Sequence, residues 1–280
     1  MTDLDFSLSD NEFKGLKDLI SLETGIQISD FKRVFLVARL SPRLKELGFH
    51  RFNEYLGLLQ DPVYNKEEIG KLINRITTNE TRFFREKHHF EYLSRTYLPS
   101  LVQTGQIPKK IFFWSAGCAT GEEAYTLAMV LSEFKNSYPW IEPRILATDI
   151  DSEALNKAQT GLFPEKAAAQ IPPDSLKKYF LKGVKEWSGW IKTRAALKEM
   201  ISFQYLNLHK PGPLSLGPFN GIFCRNVLIY FLPASREKSL ELFRRSLLPE
   251  GLLFLGHSEN IFDKEEDFRS LGETIYQRID

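Results

Sequence analysis

Apolar residues recur with two different periods along this chain, and the period changes near residue 77. Before that point they recur every three or four positions, which is the spacing of amphipathic helices. The pair Ser9 and Glu12 has the spacing of a capping box and predicts the start of a first helix that runs to about Leu22. We therefore predict an all-helical N-terminal domain over residues 1–76, with further helices from Ser29 onward, over 51–59 and over 66–76.

The second of these helices contains Pro42. Proline has no N–H to donate, and its ring clashes with the carbonyl group four residues earlier. We therefore predict that Pro42 interrupts this helix. Ser41 is available to cap the continuation.

A connector, which we place at residues 77–90, separates the helical pattern from a different one. After a helix over 88–103, short apolar runs alternate with helical segments, as in an α/β fold with a mostly parallel sheet. The last two runs are too close together for a crossover helix, so we expect an antiparallel final strand. The predicted strands are 111–114, 144–147, 201–206, 221–224, 251–255 and 274–278. Residues 182–200, which contain two glycines and two tryptophans, predict a small β insertion.

The composition argues against nucleic-acid binding, membrane insertion and secretion. The 280 residues are 42% apolar and 26% charged, which suits a globular protein of one large or two smaller domains. A net charge of +1 gives no overall attraction to nucleic acid or membranes, and no apolar run approaches the ~20 residues of a membrane helix. The N-terminus lacks the basic and apolar regions of a secretory signal. We expect a cytoplasmic monomer that binds no nucleic acid and inserts into no membrane.

The cysteines and histidines predict neither a disulfide nor a metal site. Cys118 and Cys224 lie in or beside apolar strand ends, which suits small buried residues in a reducing compartment. The five histidines show no metal-ligand spacing, and the adjacent His88 and His89 cannot share one helix face.

Residues 110–125, KIFFWSAGCATGEEAY, carry the most informative chemistry. An apolar strand meets a turn of small residues that opens a helix, which is how a parallel sheet builds a cofactor site at its carboxyl edge. The spacing Gly117-x-x-x-Gly121 does not fit the G-x-G-x-x-G of a dinucleotide site, and no Lys-Ser/Thr pair follows as in a P-loop. A dinucleotide or a nucleoside triphosphate is therefore a poor candidate.

Three acidic residues indicate which cofactor would fit instead. Glu122 and Glu123 stand at the helix start, where they would repel a pyrophosphate but tolerate an ammonium and a sulfonium. Asp149 ends the next strand, where an acidic side chain suits the hydroxyls of a ribose. S-adenosylmethionine has a ribose and both cations, and it has no phosphate. The pattern predicts this cofactor.

These acidic residues also have structural interpretations. Thr120 and Glu123 have the spacing of a capping box, in which Glu123 would serve the helix and not a ligand. Asp149 could cap the helix that follows, although Asp151 is placed to do so instead. Only the ordered combination of strand, turn, helix and second acidic strand end favours the cofactor.

Six blocks in a fixed order resemble the CheR-type chemotaxis receptor methyltransferases, which esterify glutamate side chains with S-adenosylmethionine. The resemblance runs from about residue 10 to the C-terminus, and Cys118-Ala119 is a small departure in the turn. It implies a helical N-terminal domain, then a seven-stranded, mostly parallel Rossmann-like methyltransferase sheet over 91–280 with a small β subdomain near 182–200. The blocks are TTNETRFFRE (77–86), SAGCATGEEAY (115–125), ATDID (147–151), NL (207–208), FCRNVLIYF (223–231) and GHSEN (256–260).

The resemblance also implies a role for individual residues. Arg85 and Tyr230 match the catalytic residues at the methyl-transfer centre. The implied cofactor-binding residues are Asn79, Thr81 and Arg85 in the connector, Glu123 near the methionine end, Asp149 at the ribose hydroxyls, Asn207 and Leu208 at the adenine, and Arg225 and Asn226 beside the cofactor. Taken singly, Arg85 could be a surface charge, Tyr230 a core aromatic and Arg225-Asn226 loop polar groups.

Ester formation suits a site with no obvious base. Glutamate has a reference pKa of about 4.3, so its carboxylate is already ionised near neutral pH. We expect Arg85 to hold this carboxylate and Tyr230 to orient it. Two alternatives stay open. A methyltransferase that acts on a small molecule or RNA would have the same cofactor-binding residues. A regulatory module could bind the cofactor without catalysing methyl transfer. A nicotinamide dehydrogenase is a poor third alternative because of the glycine spacing.

Residues 31–45 contain five basic residues and no acidic one. Lys32, Arg39 and Arg43 fall on one stripe if the helix continues past the proline, beside an apolar face of Phe31, Phe35 and Ala38. An ordinary solvated helix face has this pattern too. With the resemblance, it favours recognition of acidic receptor helices by Lys32, Arg39 and Arg43. Some members of the family also bind a receptor tail through the β subdomain, and the residues here leave that open.

Overall fold

The computed structural model describes residues 6–63, 65–105, 108–261 and 264–279. Its first part is helical, and the capping box that predicts the first helix is confirmed. The Oε2 atom of Glu12 accepts from the backbone N–H of Ser9 at 2.8 Å, and the Ser9 hydroxyl accepts from the backbone N–H of Glu12 at 3.4 Å. The helices of this part are α1 (Asp10–Thr24), α2 (Arg33–Leu47), α3 (Phe52–Gln60) and α4 (Asn65–Ile76), with a 3-10 turn at Asp30–Lys32.

The predicted interruption at Pro42 is wrong, because α2 continues through it. Leu36, Leu40 and Leu44 are fully buried on one face, and their spacing spans the proline. Burial of this apolar stripe outweighs the loss of one backbone hydrogen bond. Ser41 does not cap a new helix; its hydroxyl donates to the carbonyl of Val37 at 2.6 Å.

The helix predicted over 88–103 contains a wider turn. It consists of α5 (Lys87–Tyr92), a π-helical segment (Leu93–Tyr97) and α6 (Leu98–Gln103). The other helices pack on the sheet or in its insertion: α7 (Glu122–Ser137), α8 (Ser152–Thr160), α9 (Pro173–Tyr179), α10 (Ala195–Lys198) and α11 (Pro233–Ser246).

Seven strands form one sheet in the order β6-β2-β1-β7-β8-β10-β9. The neighbours from β6 to β8 are parallel and β10 is antiparallel to β8, which confirms the predicted fold class. β9 was not predicted, since a three-residue strand leaves almost no pattern. The strands are β1 (Lys110–Ala116), β2 (Glu142–Asp149), β3 (Leu162–Pro164), β4 (Phe180–Lys182), β5 (Trp190–Thr193), β6 (Ile201–Tyr205), β7 (Phe219–Cys224), β8 (Leu247–Leu255), β9 (Phe268–Ser270) and β10 (Ile275–Arg278).

Both faces of the sheet are buried, which explains the continuous apolar run in β1. Phe113 packs into the cluster on one face, and the next residue, Trp114, packs into the cluster on the other. The predicted small β insertion is present as a separate antiparallel sheet in the order β3-β5-β4. Only β5 lies wholly inside residues 182–200, because the two short strands before it give little signal.

The helical part is joined to the carboxyl edge of the large sheet by backbone pairing. Gln27 donates its N–H to the carbonyl of Tyr230 at 2.7 Å, and Leu232 donates to the carbonyl of Gly25 at 2.8 Å. Ile26 and Phe231 form an antiparallel bridge between these two bonds. This junction brings the two parts together beside the carboxyl ends of β1, β2 and β7. No helix among the described residues is long and apolar enough to cross a membrane.

Candidate functional site

A cleft lies between the helical part and the carboxyl edge of the sheet, and we call it the interdomain cleft. It encloses about 1120 Å³ of empty space, including its mouth. Tyr230 and Lys32 line it, and Arg39 and Arg43 do not. All nine residues predicted to bind the cofactor also line it: Asn79, Thr81, Arg85, Glu123, Asp149, Asn207, Leu208, Arg225 and Asn226.

The floor of the cleft is the turn after β1. The N–H groups of Gly117 and Cys118 both donate to the carbonyl of Thr148, at 2.8 and 2.9 Å. Gly117 has φ +82°, and a Cβ there would lie 2.5 Å from the Cγ2 of Val227. Glycine is therefore required both by the backbone conformation and by the close approach of the loop after β7.

The capping-box interpretation of Thr120 and Glu123 is wrong. The N-cap of α7 is Gly121, and no side chain caps it. The Thr120 hydroxyl instead donates to Glu122 at 2.6 Å. The Glu123 carboxylate turns toward the sheet, where its Oε1 atom accepts from the Ser115 hydroxyl at 2.6 Å. Glu123 therefore does not serve the helix end, and its carboxylate belongs to the lining of the interdomain cleft.

Asp149 lies at the end of β2 with only 7% of its surface exposed. Its two carboxylate oxygens accept from the backbone N–H groups of Ala119 and Asp151, at 2.7 and 2.8 Å. Burial raises the pKa of Asp149 to about 6, although these hydrogen bonds act in the opposite direction. Asp149 does not cap α8, because the Asp151 side chain accepts from the N–H groups of Glu153 and Ala154.

Asp151 has a second contact that sequence reasoning missed. Its Oδ2 atom accepts from the Thr77 hydroxyl at 2.6 Å and from the Asn79 amide at 2.7 Å. These bonds tie the connector to the tip of β2, beside Asp149. The side-chain amide N–H of Asn79 thus holds the connector over the cleft. The acidic pair in ATDID was the available signal.

A buried ionic group joins the connector to β7. Arg225, whose side chain is 2% exposed, donates from Nε to Glu123 at 2.7 Å and has Nη1 3.5 Å from Glu86. The same Nη1 donates to the backbone carbonyl of Arg85. Its guanidinium lies 5.1 Å from the ring centre of Phe90. Arg225 therefore fixes the backbone at Arg85 and is not merely a polar loop residue.

Glu259 holds the loop after β7 in place, a role that sequence reasoning did not assign. Its buried carboxylate accepts from the N–H groups of Asn226, Val227, Ile229 and Gly256, at 2.8, 3.0, 3.2 and 2.6 Å. Burial raises the pKa of Glu259, and the four backbone donors act against that rise. A carboxylate that accepts four backbone bonds fixes the conformation of residues 226–229.

Asn226 gives this loop a side-chain oxygen that no described group of the protein binds. It has φ +61°, so the loop holds it in the left-handed region. Its Oδ1 atom is shielded from solvent and has no hydrogen-bond partner among the described residues. Because Asn226 lines the interdomain cleft, this oxygen is a candidate acceptor for a donor group of a bound molecule.

Asn207 joins the helical part to the segment that follows β6. Its amide donates to the backbone carbonyl of Glu23 at 2.7 Å, and its Oδ1 atom accepts from the N–H of His209 at 2.9 Å. Leu208 is buried beside it and contributes an apolar wall.

Arg85 and Tyr230 both line the cleft with free hydrogen-bonding capacity. Arg85 donates from Nη1 to the carbonyl of Glu80 at 2.9 Å, and no carboxylate pairs with it among the described residues. The Lys32 ammonium lies 5.4 Å from the ring centre of Tyr230. The helical part thus places a cation next to a predicted catalytic side chain.

The predicted docking stripe is divided by the fold. Arg43 donates from Nε and Nη2 to the buried carboxylate of Glu68, at 2.8 and 2.6 Å, and from Nη1 to Glu46 at 3.0 Å. It therefore holds α2 against α4. Arg39 is exposed, with its guanidinium 5.3 Å from the Phe35 ring centre.

Two family models match this chain and together cover most of it. Residues 11–77 match the CheR methyltransferase, all-alpha domain, and residues 79–277 match the CheR methyltransferase, SAM binding domain. The chain is 38% identical over 272 residues to a chemotaxis protein methyltransferase of Escherichia coli (strain K12), covering 96% of this chain and 91% of that protein. It is 37% identical over 262 residues to a chemotaxis protein methyltransferase of Borreliella burgdorferi, covering 92% and 91%.

Proposed function

Because the chain belongs to the CheR family of chemotaxis methyltransferases, we propose that it methylates side-chain carboxylates of glutamate residues in a chemotaxis receptor. Family membership makes it an S-adenosylmethionine-dependent methyltransferase. The glutamate ester and the receptor are the proposal. The observation that supports it most is the convergence of Arg85, Tyr230 and the predicted cofactor residues in one cleft.

The residues of the interdomain cleft fit S-adenosylmethionine. Asp149 would accept hydrogen bonds from the two ribose hydroxyls, and Leu208 would pack on the adenine. The unpartnered Oδ1 atom of Asn226 would accept from the ammonium of the methionine part. The buried carboxylates of Glu122 and Glu123 at the start of α7 disfavour a pyrophosphate there.

The residues of the chain would act mainly by alignment. S-adenosylmethionine supplies a methyl carbon bound to a cationic sulfur. A glutamate carboxylate needs no base to become a nucleophile, and the described lining of the cleft contains no histidine. Arg85 would hold one oxygen of that carboxylate, and Tyr230 would orient the group by a hydrogen bond. The second oxygen stays free to react. Correct alignment can supply several kcal/mol of the acceleration.

Methyl transfer to a receptor tests this function directly. The purified protein is incubated with methyl-labelled S-adenosylmethionine and a receptor cytoplasmic fragment, and the product is treated with mild alkali. We expect the label to be released as methanol, because esters hydrolyse under conditions that leave N-methyl groups intact. Mapping should place it on glutamate side chains. Alkali-stable label, or label on RNA or a small molecule instead, would contradict the proposal.

We also propose that α2 contributes to receptor docking, with a narrower set of residues than the sequence predicts. Phe31 and Val34 are 97% and 78% exposed, and they lie beside Lys32 and the exposed Arg39. Arg43 is a poor test residue, since removing it would leave the buried Glu68 without its partner at a cost of ~3–5 kcal/mol.

Two changes test this docking surface: a higher ionic strength and the charge reversal Arg39→Glu. Raising the ionic strength from low to physiological values should raise the KM for the receptor fragment, because exposed charges are screened beyond about 8 Å at 0.15 M. Arg39→Glu should raise the KM at low salt and flatten the salt dependence, with cofactor affinity unchanged. If neither change affects the KM, docking by Arg39 is excluded.

A further inference from the structure

A second cleft meets the interdomain cleft at Arg85, and we call it the polar cleft. It contains about 1400 Å³ of empty space, including its wide mouth. Its walls come from the connector, the start of α5, Gln170 and the loop after β8. Glu80, Thr81, Arg85 and Asn226 line both clefts, so the two spaces converge on these residues.

Methyl transfer requires two directions of approach. In a direct displacement the nucleophilic oxygen attacks the methyl carbon from the side opposite to the departing sulfur. The interdomain cleft contains the residues proposed for the cofactor, and Arg85 lies where it opens into the polar cleft. We propose that the target glutamate enters through the polar cleft, which docks the acidic receptor segment that carries it. This inference rests on the proposed function.

The charges of the polar cleft suit an acidic segment. Arg82 is exposed and has no ion pair among the described residues. Arg85 contacts only a carbonyl there, and Lys87 is paired with Glu91 at 2.9 Å. Of the two carboxylates that line the cleft, Glu80 is exposed, whereas Glu86 is buried and lies 3.5 Å from Arg225. The charges without an ion pair among the described lining residues are two cations, Arg82 and Arg85, and one carboxylate, Glu80, so their sum is positive.

Two imidazoles form a further wall beside these cations. The rings of His88 and His257 are stacked, with centres 5.1 Å apart and an interplanar angle of 24°. The backbone N–H of His257 donates to Glu86 at 3.3 Å, which ties this wall to the buried ionic group. Arg82 is the exposed cation of this lining, so we place the approach of the receptor segment on the side of Arg82, with Arg85 as the partner of its target side chain.

Charge reversal at Arg82 tests this route, with Lys238→Glu as the control. Lys238 is exposed on α11 and lines neither cleft, so it makes the same change in net charge. Arg82→Glu should raise the KM for the receptor fragment by about tenfold, because it places a like charge at the entrance. Its affinity for S-adenosylhomocysteine should stay within about twofold of wild type, which also shows that the cleft is folded. Arg82→Gln should have an intermediate effect.

A crosslinking measurement locates the segment independently of kinetics. Cys118 and Cys224 are buried, so a thiol-directed photo-crosslinker should label Arg82→Cys selectively. It should capture the receptor peptide that contains the methylated glutamate, and Lys238→Cys should not. A KM for Arg82→Glu within twofold of the control, or capture of other peptides only, would overturn the route. If the wild-type protein forms no glutamate ester, the proposed function fails first; if it forms the ester and Arg82 proves neutral, only the route fails.

Discussion

Arg85→Ala should lower kcat for receptor methylation by about a hundredfold or more, which is the usual effect of removing one preorganised charged donor from a reacting centre. The reason is that Arg85 lines the interdomain cleft, has no carboxylate partner among the described residues and is therefore free to bind the carboxylate of a substrate. Affinity for S-adenosylhomocysteine should change by no more than about threefold, because the cofactor has other partners. Single-turnover kinetics and calorimetry measure the two quantities separately.

The backbone at Arg85 should survive this substitution. Arg225 binds the carbonyl of residue 85, and this contact does not depend on the side chain there. Arg95→Ala is a matched control, since Arg95 is exposed on the adjacent π-helical segment and lines neither cleft. Unchanged turnover in Arg85→Ala would remove Arg85 from the mechanism. A loss of turnover together with a lower Tm would point to folding instead.

Asp149→Ala should weaken binding of S-adenosylhomocysteine by about a hundredfold, since two hydrogen bonds to a charged group contribute ~1.5 kcal/mol or more each. The alanine variant also removes acceptors for Ala119 and Asp151, so Asp149→Asn is the better-matched change. It keeps one oxygen acceptor and loses the charge. Calorimetry showing normal affinity in both variants would contradict the ribose assignment.

The raised pKa of Asp149 gives this prediction a pH signature. The ionised carboxylate accepts from ribose hydroxyls, so the bound state favours ionisation and binding releases a proton below the free pKa. Affinity of the wild-type protein should be constant above about 6 and fall as the pH drops through that value. Asp149→Asn should bind weakly with little change over the same range. A flat wild-type profile would show that Asp149 does not contact the ligand as an anion.

The sequence predicts the sheet well because β1 has an apolar run that both faces bury. Asp149 could be placed for a similar reason: the end of a parallel strand fixes which sheet edge a side chain reaches. Arg85 and Asn226 could not be placed by periodicity, since both lie in loops, and only the ordered motifs indicated them. Their convergence in the interdomain cleft depends on the fold and not on local pattern.

The sequence did not predict the long-range contacts that hold the loops in place. Glu259 lies 30 to 33 residues from the loop residues that it binds, and nothing local distinguishes it from an exposed acid. The wrong prediction at Pro42 has a similar origin. The rule that proline ends a helix is local, whereas α2 continues because tertiary packing buries Leu36, Leu40 and Leu44. Thr120 and Glu123 have the spacing of a capping box. The Glu123 carboxylate nevertheless binds Ser115 and Arg225 instead of the helix end.

The pairing of Gly25–Gln27 with Tyr230–Leu232 has a consequence for how such proteins diversify. The boundary between the two family models, near residue 78, looks like a natural point for exchanging halves between relatives. A recombinant made there would take residues 230–232 from one parent. It would take residues 25–27, which pair with them, from the other. We therefore expect such a recombinant to keep its cleft only if both paired segments come from the same parent.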